Sequence, residues 1–243
     1  TNTLTTDGTV YNFGGGITIG PDYTMVGSPM TNSFTTTGNV SFLSNVTVDG
    51  TLTVNSGGGN ISVAGNISSS GKDEVISLSD GSGTGTITLG GTVSSGDITL
   101  IGDGGISIAG NITSNKDGSA GAIAFTGPVT LTGYVTVTAD DDADSTITFN
   151  STSSVNASSS GGQSLTLDTA NGAITMQGAI GGTSTGALSS LTVNADGAGT
   201  IEISNIGANT VGVTGTTAIG NSSTGTLTLD GTVYKTTGSQ TYE

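Results

Sequence analysis

The stretch Asn60–Ile67 reads N-I-S-V-A-G-N-I, and its pattern recurs along the chain. Close copies are Thr86–Val93 (T-I-T-L-G-G-T-V), Gly105–Ile112 (G-I-S-I-A-G-N-I) and Ala173–Ile180 (A-I-T-M-Q-G-A-I), and Ala122–Val129 is a weaker one. In each copy two apolar residues flank one small residue, and a further apolar position follows within the next four residues. This period of two predicts a short β-strand with one buried face, followed by a tight corner.

Triplets in which two apolar residues flank one hydroxyl residue lie between these copies and predict further strands. The triplets begin at Val46, Leu52, Ile76, Ile98, Val135, Leu165, Leu191 and Leu227. Leu52 precedes Ile61 by nine residues, and Leu165 precedes Ile174 by nine. A triplet and a motif copy are therefore expected to be successive strands of one repeating unit.

The repeating unit has the length of a solenoid coil. The motif strands start at Ile61, Ile87, Ile106, Ile123, Ile147, Ile174 and Ile201, with unequal steps that are shortest from Ile106 to Ile123. Units of roughly 20–30 residues built from strands and corners stack on one another, because no unit can bury its apolar face alone. The sequence therefore predicts an all-β fold, a right-handed parallel β-helix of about ten irregular coils. A β-sandwich is the alternative, but its hairpins do not match a unit that repeats in one direction.

The composition fits such a solenoid. Val, Ile and Leu are expected to point inward, and Thr and Ser outward, where β-branched Thr suits a strand. Gly and Asn are expected to take positive φ angles at the corners. Stability is expected from backbone ladders and a thin apolar core, without a contribution from disulfides or ion pairs.

The charge balance excludes several classes of function. The chain has 243 residues, 43 of them Gly, and only 9% are charged, against about 25% in an average globular protein. Cys and His are absent, Lys and Arg total three, and the net charge is −15. Thiolate metal sites are thus excluded, and nucleic acid and anionic membranes are not expected partners. No apolar run reaches the roughly 18–20 residues of a membrane helix, so this segment is not expected to insert into a membrane.

The two ends of the chain resemble each other. Leu4–Tyr11 and Leu227–Tyr234 are identical at seven of eight positions. Thr236–Tyr242 also resembles Thr36–Phe42. This similarity indicates one long unit followed by the start of the next, and drift among similar coils is the alternative. Because the chain begins with Thr and not Met, a processed product or a piece of a longer protein is expected.

Residues 12–34 are the least regular part, because Pro21 and Pro29 interrupt any ladder. A plain loop is the default expectation, and an end cap or a subunit contact are the alternatives. The expected division is an irregular N-terminal coil, insert or cap over residues 1–38 and a β-solenoid over residues 39–243.

The densest acidic cluster consists of Asp140, Asp141, Asp142 and Asp144. Several carboxylates from one loop suit Ca²⁺, which makes these residues the candidate metal ligands. The spacing matches no EF-hand, and a solvated acidic loop is the other interpretation. No other cofactor is predicted.

Two further activities would depend on single residue types. Asp97, Asp103 and Asp168 stand alone, whereas glycoside hydrolysis needs a carboxylate pair, so we expect no enzyme. Repeated Thr-x-Thr suggests ice binding, but the uneven coil lengths are expected to break the hydroxyl ranks.

The sequence also contains features to which we assign no function. Lys72–Glu74 and Lys116–Asp117 are expected to be exposed corners. Eight Asn-x-Ser/Thr sequons follow from composition, and we assign no glycosylation.

The segment Gly225–Tyr242, G-T-L-T-L-D-G-T-V-Y-K-T-T-G-S-Q-T-Y, together with the motif copies, resembles the repeats of large bacterial surface proteins. These are filamentous-haemagglutinin-like and autotransporter-passenger adhesins. The resemblance covers Asn39 to the C-terminus and carries no catalytic residues. It implies a Cys-poor β-helix exported by a Gram-negative bacterium, with a role in adhesion, biofilm or filaments.

The expected function is therefore structural: an extracellular β-solenoid of a bacterial cell surface, either an adhesin stalk segment or a head-to-tail filament subunit. Expected partners are the chain itself, covalent neighbouring repeats, or host and surface glycans. Two alternatives stay open, a carbohydrate-binding or carbohydrate-cleaving passenger and an ice-binding solenoid.

Overall fold

The computed structural model describes residues 3–6, 10–26, 30–71, 73–81, 83–116, 120–139 and 144–243, and the backbone alone at residue 30. Every regular element in these ranges is a β-strand. The first fourteen are β1 (Thr3–Thr6), β2 (Val10–Phe13), β3 (Ile17–Ile19), β4 (Asp22–Met25), β5 (Met30–Thr36), β6 (Val40–Phe42), β7 (Val46–Val48), β8 (Gly50–Asn55), β9 (Ile61–Val63), β10 (Ile67–Ser69), β11 (Val75–Ser79), β12 (Thr86–Leu89), β13 (Val93–Ser95) and β14 (Asp97–Ile101). The others are β15 (Gly105–Ile108), β16 (Ile112–Ser114), β17 (Ala122–Thr126), β18 (Val129–Leu131), β19 (Val135–Ala139), β20 (Thr146–Phe149), β21 (Val155–Ala157), β22 (Leu165–Thr169), β23 (Ala173–Met176), β24 (Leu191–Ala195), β25 (Thr200–Ile203), β26 (Thr217–Ile219), β27 (Thr226–Leu229) and β28 (Gln240–Tyr242).

The strands form three parallel sheets, and each coil contributes one strand to each sheet in turn. Sheet A has eleven strands, in the order β1-β4-β7-β10-β13-β16-β19-β22-β24-β26-β28. Sheet B has ten, in the order β2-β5-β8-β11-β14-β17-β20-β23-β25-β27. Sheet C has seven, in the order β3-β6-β9-β12-β15-β18-β21, and single bridges at Ile180, Ile206 and Tyr234 extend it. The ten strands of sheet B are separated by nine turns, and the predicted parallel β-helix is confirmed.

One apolar core runs through the solenoid from Ile19 to Ile219. Within the strands burial alternates, as in Val46–Val48, where both Val are buried and Thr47 is not. Inward residues stack on inward residues of the next coil; Ile61 pairs with Ile87, and Ile87 pairs with Ile106. The predicted period of two is thus confirmed as the source of the core.

The recurring motif does not stay on one face. Its copies at Ile61, Ile87 and Ile106 lie on sheet C, whereas the copies from Ile123 onward lie on sheet B. The residue stacked on Ile106 is Val129, not Ile123. The short step from Ile106 to Ile123 is therefore not a coil length, and the prediction that each motif start marks one coil is wrong at this step. The faces differ so little in chemistry that a strand pattern cannot identify its sheet.

Asparagine has a different role from the one expected. No non-glycine residue among those described has a positive φ, so the expectation of positive φ at Asn is wrong. Corner asparagines instead form ladders along the axis. The Asn45 side-chain oxygen accepts a hydrogen bond from the Asn66 backbone N–H at 2.9 Å, and the Asn66 oxygen accepts one from the Thr92 N–H at 2.9 Å. Asn39 and Asn60 form a second ladder at the preceding corner, at 2.9 Å.

The block of residues 12–34 is built like the coils that follow it. It supplies β3, β4 and most of β5, where the sequence predicts a plain loop. Tyr23, Met25 and Phe34 are buried there, and Phe34 packs against both Tyr23 and Phe42 in edge-to-face contacts. Tyr23, Met25 and Phe34 therefore fill the N-terminal end of the described core.

Candidate functional site

The outer faces carry continuous ranks of polar side chains. On sheet C one rank follows the strand register through Thr18, Ser41, Ser62, Thr88, Ser107, Thr130 and Asn156. The extra residues of longer coils lie in corners: residues 43–45 separate β6 from β7, whereas residues 158–164 separate β21 from β22. The expectation that variable coil length breaks the ranks is wrong, because the strands keep their register. Ice binding stays an untested alternative.

The outer surface also bears on the carbohydrate alternative. A groove of about 390 Å³ crosses sheet A, lined mainly by Thr, Ser and Asn side chains with one carboxylate, Asp22. No aromatic residue lines it. The groove thus offers hydroxyl and amide groups without a second carboxylate or a ring on which a sugar could stack.

The proposed calcium ligands are only partly within the described residues. Asp140, Asp141 and Asp142 lie outside them. Asp144 is exposed in the turn before β20 and lines a groove of about 220 Å³ together with Asn171 and Thr200. Among the described residues no group of three or more acidic side chains is placed to hold a metal ion. The calcium site stays a prediction.

The aspartates Asp97, Asp103 and Asp168 lie on different elements of the fold. Asp97 opens β14 and pairs with Lys116 at 2.8 Å, and its other carboxylate oxygen accepts a hydrogen bond from the Ala122 N–H at 2.9 Å. Asp103 lies in an exposed corner, and Asp168 lies on sheet A in β22. Asp97 therefore connects the start of β14 to the segment between β16 and β17 and to the first residue of β17. The expectation that ion pairs take no part in the fold is wrong at this position.

A buried carboxylate was not anticipated from the sequence. Asp80 follows β11, and its side chain is fully buried. One carboxylate oxygen accepts a hydrogen bond from the Asp103 N–H at 3.0 Å, while the other has no partner among the described residues. Burial raises the pKa of Asp80, and the nearby charge of Asp103 also raises it, against the lowering effect of the hydrogen bonds. The only sequence pattern that indicates burial of Asp80 is its position directly after an alternating strand. Ser56 has the equivalent position after β8, so this position is not specific for a carboxylate.

Lowering the pH should therefore stabilise the protein through Asp80. A carboxyl whose pKa is raised by folding binds its proton more tightly in the folded state. Its stabilising contribution is present below the unfolded pKa and is lost as the pH rises through the folded pKa. Denaturant unfolding of the wild type and Asp80→Asn at pH 7 and pH 4 measures this. We expect the stability of the wild type relative to Asp80→Asn to be greater at pH 4 than at pH 7. Equal pH dependence of the wild type and Asp80→Asn would contradict the assignment.

The two ends of the solenoid expose both backbone edges and apolar side chains. Strands β1, β2 and β3 pair on one side only, as do β27 and β28 at the other end. Among the described residues seven large apolar side chains are exposed, and four of them lie in these end strands: Leu4 at 40%, Val10 at 59%, Phe13 at 36% and Leu229 at 42%. Open edges with apolar side chains favour pairing with another strand. Within the described chain, these outermost strands therefore combine unpaired backbone edges with exposed apolar side chains.

The described part of the chain contains no helix long and apolar enough to cross a membrane.

Comparisons with protein-family models, with curated proteins and with solved structures found no match.

Proposed function

We propose that this chain is a structural β-solenoid of a bacterial cell surface, acting extracellularly as an adhesin stalk segment or as a head-to-tail filament subunit. The observation that carries the proposal is the combination of one uninterrupted core with two open ends. In the described part of the chain, buried apolar side chains fill the core from coil to coil. The ends of the solenoid present the same kind of edge that joins its own coils.

The surface chemistry supports the same proposal. The outward positions are mainly Thr, Ser and Asn, and the net charge of −15 favours solubility and repels anionic partners. Asp97 is engaged with Lys116, and Asp103 donates its backbone N–H to the buried carboxylate of Asp80. Resemblance to adhesin repeats supports the bacterial and cell-surface location.

Negative-stain electron microscopy of the whole chain, with and without Ca²⁺, tests this function. A filament subunit is expected to form long uniform fibres, and a stalk segment is expected to form isolated short rods. Fibres that require Ca²⁺ would support the cluster from Asp140 to Asp144 as a metal site. Compact round particles would contradict a structural rod of either kind.

A further inference from the structure

The last coil of the chain matches the first coil in the positions of two of its three strands. Adding 223 to the bounds of β1, β2 and β3 gives 226–229, 233–236 and 240–242. The first and third of these ranges are the bounds of β27 and β28. The second contains Tyr234 and Thr236, which form the bridges of that coil. The two end coils therefore share two strands of equal length at equal spacing, with isolated bridges in place of the third, and the similarity of Leu4–Tyr11 to Leu227–Tyr234 is part of this match.

The two coils differ in the faces that they occupy. The first coil places β1, β2 and β3 on sheets A, B and C. The last coil places β27 on sheet B, Tyr234 in the row that extends sheet C, and β28 on sheet A. Each element of the last coil thus lies one sheet further along the coil than its counterpart in the first coil: on B instead of A, on C instead of B, and on A instead of C.

This shift matches the path that the solenoid follows at its C-terminal end. The chain ends on sheet A with β28, so the next position along the rising coil is on sheet B, above β27. A second copy that continues the coil would place its β1 above β27, its β2 above Tyr234 and its β3 above β28. Each strand of its first coil would then lie on its own counterpart in the last coil.

If a second copy stacked without this change of sheet, the strands of the two copies would not all pair. If β1 of the second copy lay above β28 on sheet A, its β2 would lie above β27 with the place of one strand left empty. That gap is about 4.7–4.9 Å, the spacing of neighbouring strands, and it would leave the backbone groups of both edges unpaired. Only the copy rotated by one face pairs along all three sheets.

The side chains at the two ends also fit in the rotated arrangement. Leu4 and Leu227 are both in register with buried core residues, Tyr23 and Ile201 respectively. Rotated stacking would place Leu4 over Leu227 and Ile19 over Tyr242. It would also place Tyr11 over Tyr234, and both rings are partly buried against the core. Apolar side chains that are exposed at each end would thereby continue the core ladders from one copy to the next.

We propose that copies of this chain associate head to tail through these two coils, each copy rotated by one face about the solenoid axis relative to its neighbour. The partner is a second copy of the same chain. The contact joins different surfaces and leaves one end free at each step, so it repeats into a filament. This inference rests on the proposed structural function and specifies the contact that the filament form of it requires.

Engineered cysteines can test the rotation directly, because the chain has no cysteine of its own. Thr5 and Thr228 are exposed and lie at equivalent positions of β1 and β27. Neighbouring strands bring opposite Cα atoms within the range of roughly 4.4–6.8 Å that a disulfide spans. The double variant Thr5→Cys/Thr228→Cys should therefore form a ladder of dimers, trimers and longer species under mild oxidation. Each single variant should stop at dimers.

The matched control places the cysteines for the unrotated arrangement. Thr241 is exposed on β28, the strand over which β1 would lie directly if the faces were kept. Thr5→Cys/Thr241→Cys should show no ladder. A ladder from this pair, alone or with the first, would overturn the rotation. Absence of a ladder from both pairs, with isolated rods by electron microscopy, would overturn head-to-tail association and leave the structural function standing. Round particles would instead contradict the structural function itself.

A charge placed at the contact supplies a second measurement. Leu4→Asp introduces a carboxylate at the N-terminal edge and should abolish fibres and the multimer fraction in sedimentation velocity. Leu43→Asp is the control, because Leu43 is 57% exposed but lies in a corner outside both end coils. Unchanged circular dichroism would show that both variants fold. Equal assembly of the two variants would overturn the proposed contact.

Discussion

Phe149→Ala is expected to lower the free energy of unfolding by about 3–5 kcal/mol, the range for removing a buried aromatic side chain. Phe149 is 1% exposed and stacks on Phe125 with ring centroids 4.3 Å apart and an angle of 9° between the planes. On its other side it is in register with Met176, which is fully buried. The loss includes both the transfer of the ring from water and the cavity left between neighbouring coils.

Equilibrium unfolding in denaturant, followed by circular dichroism at a concentration where the chain is monomeric, measures this loss. Thr148→Ala is the matched control on the same strand, because Thr148 points outward and should change stability by less than about 0.5 kcal/mol. Phe149→Leu should fall between the two, since it fills part of the cavity. A loss below about 1 kcal/mol for Phe149→Ala would show that the coils do not stack through this ring.

Gly127→Ala should lower the free energy of unfolding nearly as much as Phe149→Ala, because of the backbone geometry at this residue. Gly127 connects β17 to β18 with a φ of 107°, a conformation that L residues rarely adopt. A Cβ atom there would lie 1.9 Å from the Gly102 backbone oxygen in the coil below. The unfavourable φ costs about 1–2 kcal/mol and the overpacking about 1–3 kcal/mol, so a loss of about 2–5 kcal/mol is expected.

Gly20→Ala is the matched control for this substitution. Gly20 lacks a positive φ, and no atom lies within 4 Å of where its Cβ would be. Alanine there should change stability by less than about 1 kcal/mol, in the stabilising direction, because it reduces the freedom of the unfolded chain. Thermal unfolding of both variants beside the wild type gives the comparison. Similar midpoints for Gly127→Ala and Gly20→Ala would contradict the close approach of neighbouring coils at this corner.

Much of the candidate functional surface could not be deduced from local pattern. The open ends require knowledge of which strand is last on each sheet, and this depends on how the turns accumulate along the chain. The sequence similarity between Leu4–Tyr11 and Leu227–Tyr234 was visible, but the shift by one face was not. Asn66 shows the same limit at a corner. Its place directly before a strand was visible, whereas its hydrogen bond to Thr92 joins residues 26 positions apart.

The sequence by itself determined that this chain is a parallel solenoid. Alternation such as that in Val46–Val48 specifies a strand with one buried face, and units without room for a helix can bury those faces only by stacking. The tertiary structure alone decided which strands share a sheet, as with Ile106 and Ile123, because the three faces have nearly the same chemistry. It also decided that the carboxylate of Asp80 is buried and that the last coil is one face ahead of the first. These features depend on register between residues in different coils, far apart along the chain, which a local period of two does not encode.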